Sequence, residues 1–235
     1  GQVKIRGKID RVDLYEDGDK AYVRVIDYKT GNADFKLSDV YHGFEIQLIV
    51  YLDALLANKE ILAKKDLYPA GIFYFKIDDP KIPINKNNAG DMERTLMSTL
   101  KLKGRLVKDI DIAKAMDMIT EKGKWSPFIP VNITKAGSFR DGSSVIEEED
   151  LKYLIRHVKE LIKEKVSDIL NGNISLEPYK YDGSVSCRYC DNHAICQFDM
   201  WFEGNAFKNI RKLKDEEVLK KLKESYGGEQ SDKVD

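Results

Sequence analysis

The stretch from Gly7 to Gly31, GKIDRVDLYEDGDKAYVRVIDYKTG, constrains the fold more than any other part of the chain. It predicts two β-strands joined by a tight turn. Val3, Ile5 and Ile9 alternate on the first arm, Glu16-Asp17-Gly18-Asp19 supplies the turn, and Tyr22 to Lys29 is the second arm. Asp-Gly between alternating apolar residues is a strong short-range hairpin signal. Side chains two apart on a strand share a face, so Asp27 and Lys29 project together on the side of Val23 and Val25. A carboxylate and an ammonium ending an apolar face are costly to bury unless they are paired or ligate something. The first arm adds Asp10 and Asp13, an odd number apart, so a regular strand aims only one of them at the Asp27 face. Two acids and one lysine at a hairpin end make a hard-oxygen site suited to Mg²⁺ or Mn²⁺. A surface ion pair between Asp27 and Lys29 explains the spacing equally well.

Three motifs taken in order, GKIDRVD, VIDYKTG and QLIVY, add a resemblance. They resemble the PD-(D/E)XK nuclease superfamily and, more narrowly, its RecB-like nucleases. The resemblance implies an α/β fold with a mixed sheet flanked by helices. It implies that Asp10 and Asp27 bind metal, with the carbonyl of Tyr28 as a further ligand, and that Lys29 is catalytic. It places Gln47 and Tyr51 in support of the site, with Asp13 as a second choice for the first-arm acid.

The chain has 235 residues, room for one large domain or one domain with appendages. Its net charge is −1, although 34% of its residues are charged. A protein that steers onto DNA by its overall field is basic, so any DNA contact here needs a local strip. Lys101, Lys103, Arg105 and Lys108 form one candidate strip, and Lys208, Arg211, Lys212 and Lys214 another; a solvated helix face is the simpler reading of both. No apolar run approaches the ~18 residues of a membrane span, and no signal-peptide pattern opens the chain. The expectation is a cytoplasmic protein with no membrane partner. A strand-like start at Gly1 adds the expectation of a domain excised from a longer chain.

Beyond the hairpin, residues 31–39 read as a loop past which a nucleic-acid strand can run. Residues 44–58 read as a buried helix carrying Gln47 and Tyr51 one turn apart on one face. Pro69 to Ile77 reads as a central buried strand ended by Asp78-Asp79-Pro80, with a polar loop at 85–90. Residues 92–102 and 110–119 read as helices, 128–133 as a short strand and 136–144 as a loop. The clearest helix carries Leu151, Leu154, Ile155, Val158, Leu161, Ile162, Ile169 and Leu170 at 3–4 spacing, with acids at its start and Gly172 just beyond it. His157 lies off that stripe and reads as an exposed histidine. His42 is a weak candidate for a DNA contact. The end of the chain, from 227, reads as disordered.

All three cysteines fall in Cys187-Arg-Tyr-Cys190-Asp-Asn-His-Ala-Ile-Cys196. This packing in a cytosolic chain points to metal or cluster ligation rather than disulfides. Zinc and [4Fe–4S] centres want four ligands, and His193 is a possible fourth for zinc. The spacing trailing a RecB-like core resembles AddB (RexB) helicase–nuclease subunits. That resemblance implies a [4Fe–4S] cluster on Cys187, Cys190 and Cys196 with a fourth cysteine far upstream, outside this chain.

The division expected is a nuclease core over residues 1–180 and a Cys-rich segment with the tail over 181–235. The expected activity is Mg²⁺- or Mn²⁺-dependent hydrolysis of DNA, of exonuclease type, in double-strand-break repair and recombination beside a helicase–nuclease partner subunit. The competing classes are a stand-alone RecB-like exonuclease, an inactive DNA-binding module of the same fold, and a zinc-stabilised scaffold whose Asp27 and Lys29 are incidental.

Overall fold

The computed structural model describes residues 3–31, 34–58, 65–77, 92–117 and 123–228. The expected Asp78-Asp79-Pro80 stop, the polar loop at 85–90, the last residues of the 110–119 helix and the tail from 229 lie outside them. The hairpin is present, but its first strand is shorter than its apolar pattern. β1 (Arg11–Asp17) pairs antiparallel with β2 (Lys20–Lys29) in a register running from Arg11 opposite Ile26 to Asp17 opposite Lys20. Gly18 takes φ +56°, the positive value that a two-residue hairpin loop needs at its first position. Residues 3–9 are irregular and mostly exposed, so the alternation of Val3, Ile5 and Ile9 does not mark a strand.

β2 continues into a five-stranded mixed sheet of order β1-β2-β3-β4-β5. β3 (Asp66–Lys76) runs parallel to β2, β4 (Lys103–Val107) antiparallel to β3, and β5 (Val145–Ile146) parallel to β4. A parallel pair needs a crossover, and here α1 (Leu37–Tyr41) and α2 (Gln47–Ala57) make it. Part of the expected 31–39 loop is therefore helix, because Leu37 and Val40 lie three apart and are both buried. α2 lays Leu48, Ile49 and Leu52 into the core beside Val23 and Val25. β3 is the buried central strand its composition predicts, from Pro69 to Tyr74.

The helix expected over 92–102 is α3 (Met92–Thr99), and that over 110–119 is α4 (Ile110–Met116), capped by Asp109 on the N–H groups of Asp111 and Ile112. Between them lies β4, where a basic helix face was the simpler expectation. The expected strand at 128–133 is no strand, only isolated bridges of Trp125 to Asn132 and Ile133 to Phe139. α5 (Glu148–Leu170) is the long helix, but its apolar stripe stops short: Ile169 and Leu170 are exposed. Residues 179–210 build a second, three-stranded sheet of order β7-β6-β8, from β6 (Tyr179–Tyr181), β7 (Ser184–Val185) and β8 (Lys208–Ile210). A short 3₁₀ turn (Ser186–Tyr189) and α6 (His193–Cys196) lie between β7 and β8. α7 (Asp215–Tyr226) then returns to the main core, burying Val218, Leu222 and Tyr226 against α1 and α5.

His157 is not an exposed histidine. Its ring stacks on Tyr41 at 4.5 Å, Nε2 is 2.9 Å from the Tyr41 carbonyl oxygen and Nδ1 is 3.2 Å from the Tyr226 hydroxyl. It ties α5 to α1 and α7, on a face its own helix periodicity does not reveal.

Candidate active site

The end of the hairpin and the start of α2 meet at one point. Asp27, the one acid of β2, is 3% exposed, and its Oδ2 lies 2.7 Å from the Lys29 ammonium. That contact is an ion pair by distance but lacks hydrogen-bond alignment, so Asp27 Oδ2 is a buried oxygen without a hydrogen-bond donor. Lys29 Nζ donates instead to Gln47 Oε1 at 2.8 Å, and Gln47 Nε2 donates to the Tyr51 hydroxyl at 2.9 Å. The i, i+4 spacing of Gln47 and Tyr51 on α2 sets that second bond. Continuing the hairpin register by one residue sets Asp10 opposite Asp27, and Asp10 Oδ2 accepts the Tyr28 N–H at 2.9 Å.

Of the predicted site residues, the structure thus brings together Asp10, Asp27, Tyr28, Lys29, Gln47 and Tyr51. Asp13 goes elsewhere. It stands opposite Arg24, on the other face of the hairpin, and accepts from Arg11 at 2.8 Å and Arg24 at 2.7 Å. Partial burial alone disfavours the Asp13 carboxylate, but the two guanidinium bonds together outweigh it and hold the group below its usual range.

Two residues belong to this cluster that the sequence did not single out. Tyr74 of β3 is buried directly opposite Asp27, and its ring lies 5.1 Å from the Lys29 ammonium. Its hydroxyl donates to Glu45 at 3.0 Å, and burial, followed by the charge of Glu45, strongly raises its pKa. Glu45 lies just before the QLIVY motif and Tyr74 in the buried strand β3, but nothing in their own spacing points at Lys29. Gly7 is the third contributor. A Cβ there would fall 2.8 Å from the Tyr51 ring, so any other residue would make that ring or the incoming chain shift.

A divalent cation fits this donor set. An unsatisfied buried carboxylate oxygen on Asp27, a second acid across the hairpin and a main-chain carbonyl at Tyr28 are all hard oxygen donors. The cysteines fit a metal centre less well. Cys187 and Cys196 are half-buried and Cys190 is exposed, and no group of three His, Cys, Asp or Glu side chains is placed to hold a metal among the described residues. Two residues of each basic strip are ion-paired. Arg105 is ion-paired with Asp215, Lys108 with Glu147, Arg211 with Glu217 and Lys212 with Asp182. His42 meets the Arg211 carbonyl oxygen at 3.1 Å, an internal contact. No helix among the described residues is long and apolar enough to cross a membrane.

The chain is 44% identical over 222 residues to an ATP-dependent helicase/deoxyribonuclease subunit of Alkaliphilus oremlandii, a match that covers 94% of this chain and 19% of that protein. It is 45% identical over 224 residues to the Clostridium tetani protein of the same name, and 38% identical over 237 residues to that of Thermoanaerobacter pseudethanolicus. The chain spans about a fifth of the length of these curated relatives. The PD-(D/E)XK nuclease superfamily matches residues 1–197. The chain belongs to the PD-(D/E)XK nuclease superfamily.

Proposed function

We propose that this chain is a divalent-metal-dependent deoxyribonuclease domain, of exonuclease type, within a helicase–nuclease subunit that processes double-strand breaks for repair and recombination. Its partners in this reading are a single DNA strand and a helicase–nuclease subunit, in the cytoplasm; the relatives' names, which include helicase, deoxyribonuclease and subunit, support the DNA and helicase part of it. The observation that carries the reading is the buried Asp27 carboxylate 2.7 Å from Lys29, whose ammonium donates to Gln47, with Asp10 held beside them on the Tyr28 N–H.

Asp10, Asp27 and the Tyr28 carbonyl would hold Mg²⁺ or Mn²⁺. A divalent ion held there supplies Lewis acidity toward a phosphate oxygen and makes water a better nucleophile at neutral pH. The rest is the work of this chain's own groups. Lys29 is held in place by Gln47, which Tyr51 steadies, and Gly7 allows the chain to close on Tyr51. From there its ammonium can hydrogen-bond the attacking water or offset charge growing on the phosphate in the transition state. Residues 1–180 carry this chemistry in this reading, α7 packs onto that core, and the cysteines stay outside the reaction.

Cleavage of labelled single-stranded DNA with Mg²⁺ or Mn²⁺ tests the proposal. Asp27→Asn and Lys29→Ala should each lower the rate about 100- to 1,000-fold, the range found on removing one transition-state-stabilising group. Cleavage that survives both substitutions removes the assignment.

A further inference from the structure

The reverse face of β2 takes no part in that chemistry, yet it has a cavity of its own. Arg24, Ile26 and Tyr28 alternate with Val25, Asp27 and Lys29, Arg11 pairs with Ile26, and Phe75 pairs with Tyr28, so all five share the face turned away from the acids. With Phe128 they line a space of about 300 Å³ between the sheet and the loop through Ile129. That volume is at the small end for organic ligands, and the mixture of apolar walls with a few polar groups is what such sites share.

Two features mark what it would take. The first is charge: Arg11 and Arg24 share the single carboxylate of Asp13, which leaves a net positive charge at the rim. The second is an exposed aromatic surface. Phe128 is 53% exposed, Tyr28 is 38% exposed, and Tyr28 meets Phe75 edge-on at 5.9 Å. Exposed rings beside guanidinium groups are the elements with which proteins hold single-stranded nucleic acid, stacking a base and pairing its phosphate. A purely apolar peptide would leave those guanidiniums unanswered.

The cavity also lies at the same end of the sheet as the acids. Tyr28, whose ring lines it, donates its N–H to Asp10. β1 is an edge strand, so a polynucleotide can pass around Asp10 and Arg11 from one face to the other without crossing the sheet.

We propose that this cavity is a nucleotide subsite, holding one base and its phosphate from the DNA strand whose neighbouring phosphodiester meets Asp10 and Asp27. The identity of that strand rests on the nuclease reading above; the cavity does not.

The test is done in EDTA, so that binding is read without cleavage. An oligothymidylate carrying 5-iodouracil is irradiated with the unsubstituted protein, and the adducts are mapped by mass spectrometry. Adducts on Tyr28, Phe75 or Phe128 are expected; adducts confined to the Gln47 helix, or none, overturn the proposal. In parallel, fluorescence anisotropy with labelled oligothymidylate should show Kd raised about tenfold in an Arg24→Gln/Phe128→Ala protein and unchanged in Lys220→Gln, a surface control on α7. Equal affinities overturn it. If the double variant does not fold, the cross-linking map decides. Cleavage by the unsubstituted protein with Mg²⁺ is scored separately. Cleavage without cavity adducts removes the subsite and leaves the nuclease, whereas cavity adducts without cleavage do the reverse.

Discussion

Lys29 Nζ stands 2.7 Å from Asp27, 2.8 Å from Gln47 and 5.1 Å from the centre of the Tyr74 ring. Each contact limits where the ammonium can point. The ring face attracts the cation by about 0.5–2 kcal/mol, depending on how dry the site is. Tyr74→Phe keeps that face and loses only the bond to Glu45. It should cost about 1 kcal/mol of stability and leave kcat within a few-fold. Tyr74→Leu removes the ring as well, and kcat should fall about tenfold with KM unchanged, which steady-state kinetics on DNA would show. His42 supplies a pH dependence. Burial lowers its pKa below 6.5, and the Arg211 carbonyl and the Asp39 charge oppose the shift without reversing it. The unfolded chain then binds more protons than the folded one as pH falls below 6.5. Stability from the neutral imidazole is present above 6.5 and is lost as pH drops toward the folded value. Thermal melts should show that decline, and His42→Gln should flatten it.

Among the elements, the hairpin decides which acid enters the site, and loop length is what decides it. A two-residue loop sets even-numbered residues of β1 beside odd-numbered residues of β2, so Asp10 shares the face of Asp27 and Asp13 that of Arg24. A three-residue loop would have exchanged them. The Asp-Gly turn was legible, but its length was not, which is why both acids stayed open on spacing alone. A second Asp-Gly turn passed unnoticed. Asp182 at φ 48° and Gly183 at φ 79° join β6 to β7, and the dipeptide itself is the signal that would have found them. β4 went unseen because Lys103, Gly104 and Arg105 carry no apolar alternation. Gly104 is there because β3 presses against it: a Cβ would lie 1.9 Å from the Ile72 carbonyl oxygen. Gly104→Ala should therefore cost about 1–3 kcal/mol or more, read as a lower midpoint of urea denaturation.

At the scale of the molecule, α7, which begins at Asp215, closes the fold although α5 ends as far back as Leu170. Leu222 is fully buried between α1 and α5. Leu222→Ala should cost about 2–5 kcal/mol and lower the melting temperature of the whole core in one transition. A separate low-temperature melt would mean that the C-terminal part unfolds alone. The motif order, through its resemblance to PD-(D/E)XK nucleases, carried the expectation of an α/β nuclease fold, and the period-2 alternation along β2 was enough to put Asp27 and Lys29 on one face at its end, because that alternation is a local pattern. Only the tertiary structure decided that Tyr74, itself bonded to Glu45, lies against Lys29, that His157 bridges three helices and that Arg11 and Arg24 share one carboxylate with a cavity beside them. Apart from Arg11 and Asp13, those contacts join residues 11 to more than 100 positions apart. Their geometry depends on register and packing angle, which no short-range spacing encodes.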